Sequence, residues 1–183
     1  MRTIVEESTK NLLVLDVFSK LIQERIIFID EPIDAKLTNG VIAQLMHLNS
    51  LSETEEIKVY INTPGGSVAQ GLAIYDAAQF LPAPIRTIGI GEVASMGAIL
   101  MLIGDKRCGL KHTRFMLHQI SLGAIGNLSD VKITIQEGEY LQTQLYDILR
   151  EKTNITNIEE ALKSDKWMSS KEALELGILT ELL

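Results

Sequence analysis

Residues 57–100 read IKVYINTPGGSVAQGLAIYDAAQFLPAPIRTIGIGEVASMGAIL, and two patterns alternate through them. Ile57 to Ile61 is a short apolar run rich in β-branched residues, the pattern of a buried strand. Asn62-Thr63-Pro64-Gly65-Gly66 ends it with turn residues, and a helix is expected from about Ser67 to Phe80. Ile85 to Ile90 repeats the strand pattern. Gly91 then leads into small residues and a second helix from about Ser95 to Leu102. Strands that are continuous apolar runs, alternating with helices, predict α/β architecture with parallel strands covered on both faces.

The same alternation extends outward. Upstream, apolar residues at Leu13, Val17, Leu21 and Ile22 predict a helix over Leu12–Glu24. Ile26–Ile29 then reads as a strand closed by the turn at Asp30–Pro32. Residues 38–49 read as a helix with Val41, Ile42, Leu45, Met46 and Leu48 facing inward. Downstream, Arg114–His118 is a strand, and Asp130–Glu151 is a long amphipathic helix with Ile135, Leu141, Leu145, Ile148 and Leu149 on its apolar side. Two short helices follow, opened by the capping-box pairs Thr156 with Glu159 and Ser169 with Glu172, and Gly177 stops the last. Residues 1–10 are polar and expected to be mobile. No linker or repeat divides the chain, so residues 1–183 are expected to form one domain.

Composition narrows the function. Forty-six per cent hydrophobic residues against 22% charged supports a full core, and a chain this apolar is expected to bury surface against copies of itself. Seventeen Lys and Arg against 24 Asp and Glu give a net charge of −7, with no basic stripe for a nucleic-acid partner. The single cysteine, Cys108, excludes an internal disulfide framework and a multi-cysteine zinc site, and fits a reducing compartment. The first residues carry acid early, unlike a secretory or transit signal. No apolar run reaches the roughly 18 residues that a membrane span needs. A cytoplasmic protein is expected.

Residues able to carry chemistry are few. Ser95 stands among small residues in Gly91-Glu92-Val93-Ala94-Ser95-Met96-Gly97-Ala98, at a strand-to-helix junction where a hydroxyl is exposed on a tight turn. Val93 stands where the usual hydrolase elbow has a glycine, so alone the segment also reads as a serine N-cap. Pro64-Gly65-Gly66 leaves backbone donors at a helix start, and one of them with the Met96 N–H would make an oxyanion hole. A simple turn is the other reading, and no lysine follows to make a phosphate loop. Of three histidines, His47 reads as core or interface and His112 as a solvated loop residue. His118 ends an apolar strand, where active sites of parallel sheets lie. A hydrogen-bonded core histidine is its alternative. Asp105, Asp130, Asp147 and Asp165 all remain open as the acid that would orient it.

Taken together, five segments resemble the proteolytic subunit of the caseinolytic Clp protease, the ClpP family, over nearly the whole chain. They are Glu24-Arg25-Ile26-Ile27-Phe28, Tyr60-Ile61-Asn62-Thr63-Pro64-Gly65-Gly66, Ala94-Ser95-Met96-Gly97-Ala98, Met116-Leu117-His118-Gln119 and Asp165-Lys166-Trp167-Met168-Ser169. The resemblance implies Ser95 as nucleophile, His118 as general base, Asp165 as orienting acid, and Gly66 and Met96 as backbone oxyanion donors. It implies a crotonase-like spiral of parallel strands and helices with a projecting handle helix, here about 130–151, and residues 1–10 as an axial segment. It further implies two stacked heptameric rings enclosing a chamber for unfolded polypeptides, a hexameric AAA+ Clp ATPase partner, and peptide-bond hydrolysis by the subunit itself without cofactor or metal. Met46, Tyr60, Phe80 and Leu183 resemble the apolar pocket where the ATPase loops dock, with ordinary core as the alternative.

Two departures stand out. Lys163 and Ser164 replace the Asp-Arg pair that ties the two rings together in the family, and Ile120-Ser121-Leu122-Gly123-Ala124-Ile125-Gly126 replaces its proline and glycine-rich strip. They suggest a divergent paralogue, weakly active alone and working beside a second ClpP. A crotonase-type acyl-CoA enzyme shares the fold and the oxyanion pair, but needs no serine, histidine and aspartate set.

Overall fold

The apolar runs become neighbours in one sheet. Among residues 3–8 and 11–183, which the computed structural model describes, Ile26–Ile29 (β3), Ile57–Thr63 (β4) and Ile85–Ala94 (β5) pair in parallel. The helices Ala35–Leu51 (α2) and Val68–Phe80 (α3) form the crossovers between them. Parallel strands need such long returns, and the helices cover what the strands leave apolar. Ile27, Ile29, Val59, Ile61 and Ile85 are consequently buried against Val41, Leu45 and Ile74 from the helices.

β5 is ten residues long and changes partner along its length. Its first half, Arg86–Gly89, pairs with Lys106–Gly109 (β6), and its second half, Glu92–Ala94, pairs with Arg114–Leu117 (β7). The change falls at Gly91, whose φ of +60° favours glycine. The Asn62 side chain accepts from the Glu92 N–H at 3.0 Å where the β4–β5 register slips. The expected strand ended at Ile90. It continues to Ala94 because this kink re-aims it rather than terminating it.

Beyond β5, Met96–Leu100 (α4) is buried at every residue, and Leu128–Lys152 (α5) is the long helix. Twenty-five residues make α5 about 37 Å long at the usual rise. Only Gly138, Leu145, Tyr146 and Leu149 of it are buried, so its first half projects from the body. Ile158–Ala161 (α6), Lys166–Ser169 (β8), Ser170–Glu175 (α7) and Glu181–Leu182 (β9) complete the chain. β8 runs antiparallel to β7, so the sheet is mixed rather than wholly parallel.

Several expectations need correction. The helix expected from Leu12 starts at Val17 (α1, Val17–Gln23), where Asp16 caps it by accepting from the Phe18 and Ser19 amides. Asn11–Asp16 (β2) instead pairs antiparallel with Thr3–Ser8 (β1), because Leu12, Val14 and their neighbours suit a strand ladder as well as a helix face. Of the expected mobile axial segment 1–10, residues 1, 2, 9 and 10 lie outside the described residues. Met46, expected inward, is 56% exposed. The Thr156–Glu159 box does not form: Asn157 precedes α6 with a φ of +50° and no side-chain cap. The Ser169–Glu172 box forms with both of its bonds.

Arg25 locks the entry to β3. Its φ is +60°, and its guanidinium donates to the carbonyls of Leu48, Ser52, Glu55 and Glu56 at 2.8–3.3 Å. These bonds satisfy the carboxyl end of α2 and the loop after it. Arg25→Ala is expected to cost about 2–3 kcal/mol, the scale of hydrogen bonds to a charged group. Thermal unfolding of the variant against wild type measures it, and an unchanged midpoint would remove this role.

Candidate active site

The sheet topology brings three distant residues to one edge. Ala94 pairs with Met116, so Ser95 leaves β5 beside the end of β7, and its N–H donates to the Met116 carbonyl at 2.8 Å. Leu117 pairs with Lys166 in the antiparallel β7–β8 ribbon. Continuing that register by one residue sets His118 opposite Asp165. Ser95 Oγ lies 2.8 Å from His118 Nε2. His118 Nδ1 lies 3.8 Å from Asp165 Oδ1, within ion-pair range but longer than a hydrogen bond.

Ser95 sits in a strained turn, with φ +55° and ψ −124°. A non-glycine residue at positive φ is uncommon and marks a site where geometry is over-determined. Here the surroundings hold it. A Cβ placed on Gly65, itself at φ +99°, would lie 2.6 Å from Ser95 Cβ and 2.9 Å from the Ala94 carbonyl oxygen. The glycine turn is fixed in its turn by Ile33, whose N–H donates to Gly65 O at 2.9 Å and whose carbonyl accepts from Ser67 N–H at 2.8 Å. Thr63 Oγ1 accepts from the Gly65 amide and donates to Glu31 O. Met96 is the first residue of α4, where an amide has no partner within the helix.

A cleft of about 200 Å³ opens here, and Gly66, Ser95, Met96 and His118 line it beside Ile99 and Leu117. Its far side is α5, through Gln142, Leu145 and Leu149, with Ile120 and Ser121 at the start of the strip 120–126. The strip is fastened to α5: Leu122 fills the notch at Gly138, where a Cβ would come within 2.4 Å of Leu122 Cδ1.

The sequence reading put Ser95, His118, Asp165, Gly66 and Met96 together, and the structure does bring them into one place. It differs on surroundings. The Asp165 side chain is 63% exposed. His47, expected in the core or an interface, is exposed on α2, which removes only the core reading, and His112 is exposed as expected. Phe80 is 84% exposed, Leu183 is exposed and Tyr60 is half-buried, stacked on Phe28 at 5.2 Å. None of Met46, Tyr60, Phe80 and Leu183 lines the nearby groove formed by Phe18, Ile22, Phe28 and Gln44. Lys163 pairs with Glu160 on its own helical turn. No group of three His, Cys, Asp or Glu placed to hold a metal occurs among the described residues.

Comparison with known sequences agrees with this geometry. The sequence model described as Clp protease matches residues 8–183. The chain is 41% identical to the ATP-dependent Clp protease proteolytic subunit of Bacteroides thetaiotaomicron, over 98% of this chain and 84% of that one. It is 39% identical to ATP-dependent Clp protease proteolytic subunit 1 of Salinibacter ruber, covering 98% and 79%. To the corresponding subunit of Deinococcus radiodurans it is 36% identical, covering 98% and 90%. The chain belongs to the Clp protease family. The ClpP fold expected from the sequence is therefore the fold of this chain, a mixed α/β body with a largely parallel sheet.

The one thiol of this Clp family member is no rival nucleophile. Cys108, on β6, is wholly buried and donates to Glu181 Oε1 at 3.0 Å. Burial chiefly, and then the Glu181 carboxylate, push its pKa up to about 11. The reactive thiolate is thus scarce at neutral pH. Iodoacetamide at pH 8 is expected to leave Cys108 unmodified in the folded protein and to alkylate it fully in denaturant, as read by intact mass. Rapid labelling of folded protein would contradict this burial.

Proposed function

We propose that this chain is the peptidase subunit of an ATPase-coupled Clp protease that cleaves unfolded polypeptides by serine chemistry. The observation that carries the reading is the 2.8 Å contact between Ser95 Oγ and His118 Nε2 at a strained turn walled by Gly65. In that geometry His118 Nε2 accepts the hydroxyl proton as Oγ attacks the scissile carbonyl carbon. The oxyanion of the tetrahedral intermediate takes hydrogen bonds from the Gly66 and Met96 amides. His118 then gives the proton to the departing amine, leaving an acyl group on Ser95. Water, activated by the same imidazole, releases the acid product. Asp165 holds the Nδ1–H tautomer, and its 3.8 Å separation closes to a hydrogen bond when substrate or a second ring orders the β7–β8 ends.

Membership of the family supports an assembled reading as well. Rings of this chain, seven to a ring and stacked in pairs through the projecting half of α5, enclose the site. A hexameric AAA+ Clp ATPase docks at Met46, Tyr60, Phe80 and Leu183, an assignment supported by the exposure of three of them and half-exposure of the fourth. The compartment is the cytoplasm. Among the described residues no helix is long and apolar enough to cross a membrane. The exposed Asp165, with Lys163 bonded within its own turn, favours a subunit that is weakly active alone and gains activity beside a second ClpP paralogue.

Ser95→Ala and His118→Ala are each expected to abolish peptide hydrolysis while leaving the native mass unchanged. Asp165→Asn is expected to cost less than either, since the template aspartate contributes less than its partners. Turnover persisting in clean Ser95→Ala protein, alone or mixed with a ClpP whose own nucleophile has been removed, would refute the assignment. Measured native mass and model-peptide rates, with and without that partner, separate the self-sufficient subunit from the dependent one.

A further inference from the structure

The cleft before Ser95 is walled largely by hydrocarbon, from Ile99, Leu117, Leu145, Leu149 and Leu162. One polar side chain interrupts that wall on the α5 side. Gln142 lies one helical turn before Leu145 and two before Leu149, on the face of α5 that looks into the cleft. Its Oε1 accepts from the Ile120 N–H at 2.6 Å. Its Nε2 is buried and has no hydrogen-bond partner among the described residues.

The direction of this amide is fixed. The Ile120 N–H is a donor, and only the carbonyl end of the carboxamide can receive it. The NH2 end is therefore held in the apolar wall with two hydrogens and no acceptor. Buried donors in folded proteins almost always have a partner, and leaving one unpaired is destabilising. A position of this kind, in a substrate cleft, suits an acceptor that arrives with the substrate.

We propose that Gln142 is a specificity-determining residue for the side chain preceding the scissile bond. The assignment rests on the peptidase reading of Ser95 and His118. With the scissile carbonyl at Ser95 Oγ, that side chain enters the adjoining recess between Ile99, Leu117 and Leu145 and ends at Gln142. Nε2 donates to an acceptor atom near its tip. An unbranched, mainly apolar side chain with an ether or carbonyl oxygen there is favoured over a hydrocarbon of the same shape. A site built to hydrogen-bond a substrate atom rejects the analogue lacking it. A carboxylate gains less, because it would leave water for an apolar cleft whose one partner is uncharged.

Two fluorogenic peptides test this, alike except that norleucine or its ether isostere, O-methylhomoserine, precedes the cleaved bond. The ratio of their kcat/KM values cancels any general loss of activity. Wild-type assembly is expected to prefer the ether by about three- to tenfold, the worth of one neutral hydrogen bond. Gln142→Met, which removes the donor, should bring the ratio to about one. Gln142→Glu keeps the acceptor for Ile120 N–H but turns an oxygen toward the substrate, and should invert the preference. Labelling of Ser95 by a fluorophosphonate and the native mass report whether each variant is folded and assembled. Equal wild-type rates, or a preference unchanged in both labelled variants, overturn the assignment of Gln142 alone, and parallel loss on both peptides means that it only positions the strip. A wild-type assembly that neither labels at Ser95 nor cleaves any peptide, alone or beside a ClpP partner whose own nucleophile has been removed, overturns the peptidase reading, and this inference with it.

Discussion

The partner exchange along β5 governs the rest of the molecule. A strand that kept one neighbour throughout would deliver Ala94 into the middle of a sheet, with Ser95 stacked among strand ends. The kink at Gly91 instead hands the second half of β5 to β7, and β7 in turn carries the antiparallel β8. Three segments far apart in the chain then finish at one edge. The side-chain amide of Asn62 sustains the kink where the backbone ladder is broken, so a strand interruption becomes a stable corner.

The positions along that edge are unequal in tolerance. Ser95 is clamped from both sides, by the Gly65 backbone and by its own bond to Met116, and neither contact involves a long side chain. Asp165 is held only by the start of a short strand and faces water. Ser95 and His118 thus meet at the ends of two paired strands, whereas Asp165 lies on an exposed margin.

Much of this was legible in the sequence. Runs such as Ile57–Ile61 and Ile85–Ile90, followed by glycines and helical stretches, specify parallel crossover units because hydrophobic period and turn chemistry agree there. The long helix α5 was legible from its amphipathic period to within two residues at its start and one at its end. What escaped was pairing between short segments. Lys106–Gly109, Lys166–Ser169 and Glu181–Leu182 carry too few apolar residues to announce a strand, and they become strands because a neighbour supplies the ladder. The alignment of Asp165 with His118 depends on that ribbon. Four aspartates therefore stayed equivalent on residue chemistry until the family resemblance and the register separated them. Gln142 was invisible for a related reason: nothing in a helical pattern tells which glutamine faces a cleft.

Gly65 leads to a consequence of another kind. No side chain fits where its hydrogen points, for Ser95 and the Ala94 carbonyl already occupy that space. Across the cleft, the exposed residues 121–126 meet few such prohibitions; a Cβ at Gly123 would touch nothing. Sequence drift in descendants of this chain is accordingly channelled. The Gly65–Ser95 side of the groove admits almost no substitution, while the opposite bank can be rewritten one residue at a time without the Ser95 turn being disturbed.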